Sequence, residues 1–156
     1  MPPEGIDAID LHWMNKAYVL ALKAADHDEV PVGAVLVDAQ NRCIGQGWNQ
    51  PVSADDPTAH AEILALRTAA KQLNNYRLPD TTLYVTLEPC PMCAGALVHA
   101  RIKRLVVATP DPRSGSAGSV FNLLDSSHLN HRVDVKTGVL QEQCADLLKT
   151  FFQEKR

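Results

Sequence analysis

Apolar positions recur every three to four residues through 7–26, where Leu11, Met14, Ala17, Val19, Leu20 and Leu22 fall mainly on one helical face. Asp7 or Asp10 stands where it can cap that helix. After His27-Asp28-Glu29 the period changes. Residues 32–37 are a continuous apolar run closed by Asp38-Ala39-Gln40-Asn41, and a second run covers 42–48. These read as two antiparallel strands, with Gly33, Gly45 and Gly47 where backbone must pass close to a neighbour. Residues 50–58, with two prolines and two aspartates, read as loop. Helical spacing returns over 60–73, residues 83–87 form a strand, and Pro91 opens a helix that reaches about residue 100. A strand at 104–108, a loop at 109–119, a short helix near 119–125, a strand near 133–136 and an amphipathic helix over 141–153 complete the pattern. The order predicts one α/β domain over 1–156, a mixed sheet of about five strands with helices on both faces.

Composition narrows the class. A chain of 156 residues, 46% hydrophobic, can bury a core without disulfide staples. No apolar run approaches the length of a membrane span and no charged-then-apolar leader is present, so the expectation is a cytoplasmic protein without a membrane partner. Cys43 and Cys144 lie in apolar segments and are expected as buried free thiols. The net charge is −3, but residues 1–78 hold 6 basic and 10 acidic side chains (−4) and residues 79–156 hold 9 and 8 (+1). That balance permits a nucleic-acid partner without demanding one.

The chemistry sits in two short stretches, His60-Ala61-Glu62 and Pro89-Cys90-Pro91-Met92-Cys93. Cys90 and Cys93 are three residues apart at a helix start, so both sulfurs can reach one metal, and the helix terminus favours thiolates. A lone Cys-x-x-Cys could be a redox pair of the thioredoxin type. With His60 opening another helix and Glu62 beside it, three metal ligands and an unligated acid are the better account. Structural zinc takes four protein ligands, whereas catalytic zinc keeps a position for water. Cys43, Cys144, His27 and His99 could supply a fourth ligand, but none stands at metal-ligand spacing. An open zinc lowers the pKa of water to about 7, and Glu62 could move the protons of a hydrolytic deamination. Asn49, after a strand, can offer a donor and an acceptor to a base edge, and Asp111 could contact sugar or phosphate.

The stretches Glu29-Val30-Pro31-Val32-Gly33-Ala34-Val35, Gly47-Trp48-Asn49, His60-Ala61-Glu62-Ile63 and Thr86-Leu87-Glu88-Pro89-Cys90-Pro91-Met92-Cys93 resemble the bacterial tRNA-specific adenosine deaminases of the cytidine-deaminase-like superfamily. The same core occurs in guanine, cytosine and riboflavin-pathway deaminases. Gly115-Ser116-Ala117-Gly118-Ser119, Asn130-His131-Arg132-Val133 and the closing helix to Phe152 look more specific to the tRNA enzymes.

The resemblance implies a three-layer α/β/α fold and a homodimer with one Zn2+ per subunit. The activity it implies is hydrolysis of adenosine to inosine at wobble position 34 of a tRNA anticodon stem-loop. His60, Cys90 and Cys93 would bind zinc and Glu62 would shuttle protons. Asn49 would hold the flipped-out adenine, Asp111 would contact the anticodon loop, and Asn130 and His131 would lie near the pocket or the dimer interface. Pro110 and Pro112 flank Asp111 and stiffen its loop. The rival readings are a zinc deaminase of a free base, nucleoside or nucleotide, a non-catalytic binding subunit of the same fold, and a structural zinc module.

Overall fold

The computed structural model describes residues 7–155. Helix α1 spans Ala8–Asp26, and Asp7 caps it by accepting from the Ile9 and Asp10 amides. Strands β1 (Gly33–Val37) and β2 (Cys43–Trp48) form the predicted hairpin. Helix α2 (Ala61–Leu73), β3 (Thr82–Leu87), α3 (Pro91–Ala100), β4 (Arg104–Thr109), β5 (Asp134–Thr137) and α4 (Gln141–Glu154) follow. The sheet order is β2-β1-β3-β4-β5. β1 is antiparallel to both of its neighbours, while β3, β4 and β5 run parallel.

Alternation along the strands builds the three layers, because successive side chains point to opposite faces. Leu36, Leu83, Val85, Leu105 and Val107 pack beneath α2 and α3 with Ala65, Leu66, Ala69, Ala94 and Leu97. Val35, Val37, Tyr84, Val106 and Ala108 face the other way, against Met14 and Ala17 of α1 and Cys144 of α4. Both apolar runs of the central strands are therefore buried on two faces, which is why they read as continuous rather than alternating.

Gly45 and Gly47 set how closely α2 lies on the edge strand. A side chain at Gly45 would strike the Ala65 carbonyl oxygen, and one at Gly47 would lie 2.5 Å from that of Ala61. The close approach that the glycines predicted is thus α2 itself, and it fixes the start of the helix that bears His60.

Three expectations are corrected. The stretch 119–125 is not helical: Gly118 has φ +126°, and Ala117 and Asn122 form a β-bridge. A glycine in that conformation turns the chain back instead of continuing a helix. Cys43 is exposed on the edge strand, although it is a free thiol as expected; Cys144 is buried. Val19 and Leu22, assigned to the apolar face of α1, are exposed, since the narrow contact with the sheet is made by Met14, Ala17, Ala21 and Ala24. Trp13 is only half-buried, and its indole N–H donates to Asn41 at 2.6 Å. No helix among the described residues is long and apolar enough to cross a membrane.

Candidate active site

Asn49 follows the end of β2, Val30 and Val32 lead into β1, Leu87 ends β3, and Asp111 follows β4. The pairings Gly33↔Trp48 and Leu87↔Thr109 put all of these at one end of the sheet. A crevice beyond strand ends is the usual location of sites in α/β folds. Here it is a cavity of about 260 Å3 lined by these residues with His60, Glu62, Glu88, Cys90 and Ser114.

His60 is the N-cap residue of α2 and Cys90 that of α3, with Pro91 in the first turn. Neither side chain caps its helix, so both are free to point at a common centre. The strands that lead to them are not neighbours; β1 lies between β2 and β3, and α2 crosses it to bring His60 to Cys90. His60 Nδ1 lies 3.6 Å from Cys90 Sγ and 3.4 Å from Cys93 Sγ. Tetrahedral zinc with ordinary bond lengths places such atoms about 3.5 Å apart. All three donor atoms fall within 4.8 Å of one another. Two sulfurs and one imidazole fit zinc in charge, softness and spacing, and among the described residues no further His, Cys, Asp or Glu joins this group. The Cys90 thiol is pulled down to about 4, chiefly by a hydrogen bond with Cys93 and then by His60, so a thiolate forms there readily.

Glu62, in the first turn of α2, is buried, and burial raises its carboxyl above the ordinary range. Asn49 is also buried, and its Oδ1 accepts from the Ala61 N–H at 2.8 Å. Its Oδ1 thus already serves α2, while Nδ2 makes no hydrogen bond among the described residues; the sequence had left both available. Asp111 lines the cavity, but its carboxylate accepts from the amides of Arg113 at 2.9 Å and Ser114 at 3.4 Å, and from the Ser114 hydroxyl at 3.2 Å.

Two further glutamates went unread in the sequence. Glu29 is buried and accepts from Val52 N–H at 3.3 Å, Ser53 N–H at 2.6 Å and the Ser53 hydroxyl at 2.5 Å. Glu88 is buried too and accepts from the amides of Asp111 (3.0 Å), Ala117 (2.9 Å) and Ser119 (3.1 Å) and from the Ser119 hydroxyl. For both, burial opposes the charge but these hydrogen bonds outweigh it, holding each carboxyl below its ordinary value. Glu88 stood two residues before Cys90, inside the motif itself. Asn130 and His131 lie outside the cavity: the Asn130 carbonyl accepts from Arg101, and His131 meets the Ile102 carbonyl at 2.6 Å.

The cavity opens into a groove of about 1110 Å3, with which it shares Val30, Leu87, Asp111 and Ser114. Pro110, Pro112 and Arg113 line one side of the groove, and Leu148, Lys149, Phe152 and Gln153 of α4 the other.

The family model of MafB19-like deaminases matches residues 9–156. A tRNA-specific adenosine deaminase of Haemophilus influenzae is 54% identical over 147 residues, covering 94% of this chain and 85% of that protein. One of Bacillus subtilis is 44% identical over 92% of this chain and 89% of its own length. A solved structure from studies of A-to-I editing by tRNA:A34 deaminases aligns with a TM-score of 0.84 and 42% identity, over 87% of this chain and 98% of that one. With the fold, the donor set and the buried acid in agreement, the chain belongs to the tRNA-specific adenosine deaminases, within the MafB19-like deaminase family.

Proposed function

We propose that this protein hydrolyses adenosine to inosine at position 34 of a tRNA anticodon. The observation that carries the reading is the continuity of the small cavity holding Glu62 with the long groove under α4. At about 260 Å3 the cavity lies just below the roughly 300–1,000 Å3 of drug-sized ligand sites and suits one extruded base. The groove is the right kind of place for the flanking nucleotides. Phe152 is exposed along it for stacking, and Arg113 and Lys149 can meet phosphates.

His60, Cys90 and Cys93 would hold one Zn2+ per subunit, and the ion would supply an acidified water. The chain's own residues do the rest. Asn49 donates its amide N–H to an acceptor on the base and orients it. Glu62 takes one proton from the attacking water and passes it to the ring nitrogen beside the carbon as the C–O bond forms. It then carries the second proton from the added hydroxyl to the amine, the C–N bond breaks, and ammonia leaves as the carbonyl forms. Burial suits Glu62 to this work, because a carboxyl raised toward neutrality can both accept and donate.

The reading includes a cytoplasmic homodimer. It is supported by the outer side of α3, where Met92 is exposed and Gly95 has open space before it, beside exposed Tyr76 and Leu129. Sedimentation at micromolar concentration is expected to give twice the chain mass.

The deciding experiment measures inosine in an adenosine-34 anticodon stem-loop beside free adenosine, cytidine and guanine. Wild type is expected to act on the stem-loop alone, and Glu62→Ala to retain zinc and lose all turnover. Turnover of a free base or nucleoside with none on RNA would overturn the tRNA assignment.

A further inference from the structure

The cavity mouth has two lips, residues 50–58 after β2 and residues 109–119 after β4, and each is loop without helix or strand along most of its length. A loop of that kind holds a fixed shape only if its backbone groups find partners. Resting on the editing reading above, we propose that Glu29 and Glu88 are positioning residues that hold these lips in the shape that receives the RNA.

Glu88 is built for this role rather than for proton transfer. Both of its oxygens are occupied: Oε1 by the Asp111 amide and the Ser119 hydroxyl, Oε2 by the Ala117 and Ser119 amides. No ion pair involves Glu29 or Glu88 among the described residues, so the lips' own donors stabilise these buried charges. The lip also rests directly on the carboxylate, since a side chain at Gly115 would collide with it. The Ser116 amide donates to the Pro89 carbonyl at 2.9 Å and the Glu88 amide to the Thr109 carbonyl at 3.0 Å. The 109–119 lip, which bears Asp111 and the Arg113 wall of the groove, is thereby fastened to the loop that bears Cys90. Glu29 does the same for the opposite lip through Val52 and Ser53, from a position remote in sequence from any metal ligand.

Replacing a carboxylate with an amide tests this at nearly constant volume. In Glu88→Gln, an NH2 at either oxygen position faces donors, so at least one backbone N–H loses its acceptor. Glu29→Gln is the second variant, for it cannot disturb a zinc ligand directly. In each, zinc per chain, kcat and KM on the stem-loop, and amide hydrogen exchange are measured.

The expected result is zinc retained, kcat within threefold of wild type and KM raised tenfold or more. Exchange is expected to be at least tenfold faster at Asp111, Ala117 and Ser119 in Glu88→Gln and at Val52 and Ser53 in Glu29→Gln. Unchanged exchange at these amides overturns the anchoring. Faster exchange with unchanged KM, or loss of kcat in Glu88→Gln that tracks lost zinc while Glu29→Gln behaves as wild type, overturns the role in RNA capture. A wild-type protein inert on the stem-loop sinks the editing reading instead, and the exchange comparison still decides the anchoring.

Discussion

At the scale of one residue, the role proposed for Asn49 divides its two polar atoms between folding and recognition. Oδ1 serves the Ala61 amide, so the side chain is part of the fold before any base arrives. Asn49→Asp keeps that acceptor, adds a charge that a helix N-terminus tolerates, and removes the donor. The variant is expected to fold and hold zinc like wild type. Losing one hydrogen bond to a buried group costs about 1–3 kcal/mol, so kcat/KM on the stem-loop should fall roughly 5- to 150-fold. Asn49→Ala removes both functions and should in addition lower the melting temperature. Equal activity losses in the two variants, without the stability difference, would contradict this division.

Between elements, the sheet is tied to α1 through Asp10. It is 1% exposed and accepts from Arg104 of β4 (2.8 and 2.6 Å), Lys136 of β5 (3.0 Å) and Tyr84 of β3 (2.8 Å). Burial alone would raise its carboxyl, but the hydrogen bonds from Arg104, Lys136 and Tyr84 outweigh it and hold the pKa well below the usual range. A depressed pKa stabilises the fold above the unfolded value and loses that contribution as pH falls through the folded one. Asp10→Asn is therefore expected to cost about 3 kcal/mol at pH 7, the two cations being left without their anion. The gap between variant and wild type should narrow as pH drops below about 4, which urea unfolding at pH 7, 5 and 3 would read. On the opposite face, Gly47→Ala would lie 2.5 Å from the Ala61 oxygen and 2.8 Å from Leu64 Cβ. It should push α2 off β2, destabilise by about 1–3 kcal/mol and weaken zinc retention through His60.

For the whole molecule, the groove joins two segments distant in the chain, the loop after β4 and the last helix. A net charge of −3 leaves RNA attraction to the cations placed along it. The stem-loop KM should rise with salt, with a logarithmic slope of about 0.7 for each phosphate neutralised. Replacing Arg113 and Lys149 together by alanine should lower that slope by about 1.4. Phe152→Ala should raise KM without changing the slope, because stacking releases no counterions. A salt-independent KM would place the RNA elsewhere.

The sequence by itself determined the element order outside 119–125, the two-sided burial of the central strands, and the placing of His60, Glu62, Cys90 and Cys93 at two helix starts. Each of these depends on spacing within a few residues, where helix and strand periodicity is enforced by the backbone. It misread the 119–125 segment, because Ser119 there gives its amide and hydroxyl to Glu88, 31 residues earlier. It could not see Glu29, Glu88 or Asp10 as fixed groups, nor that the Asn49 acceptor is already used. A carboxylate reads as surface charge until its donors are known, and the donors of Asp10 come from as far as 126 residues away. Only the tertiary structure brings such partners together, because the cost of burying a charge is met by groups that folding alone makes neighbours.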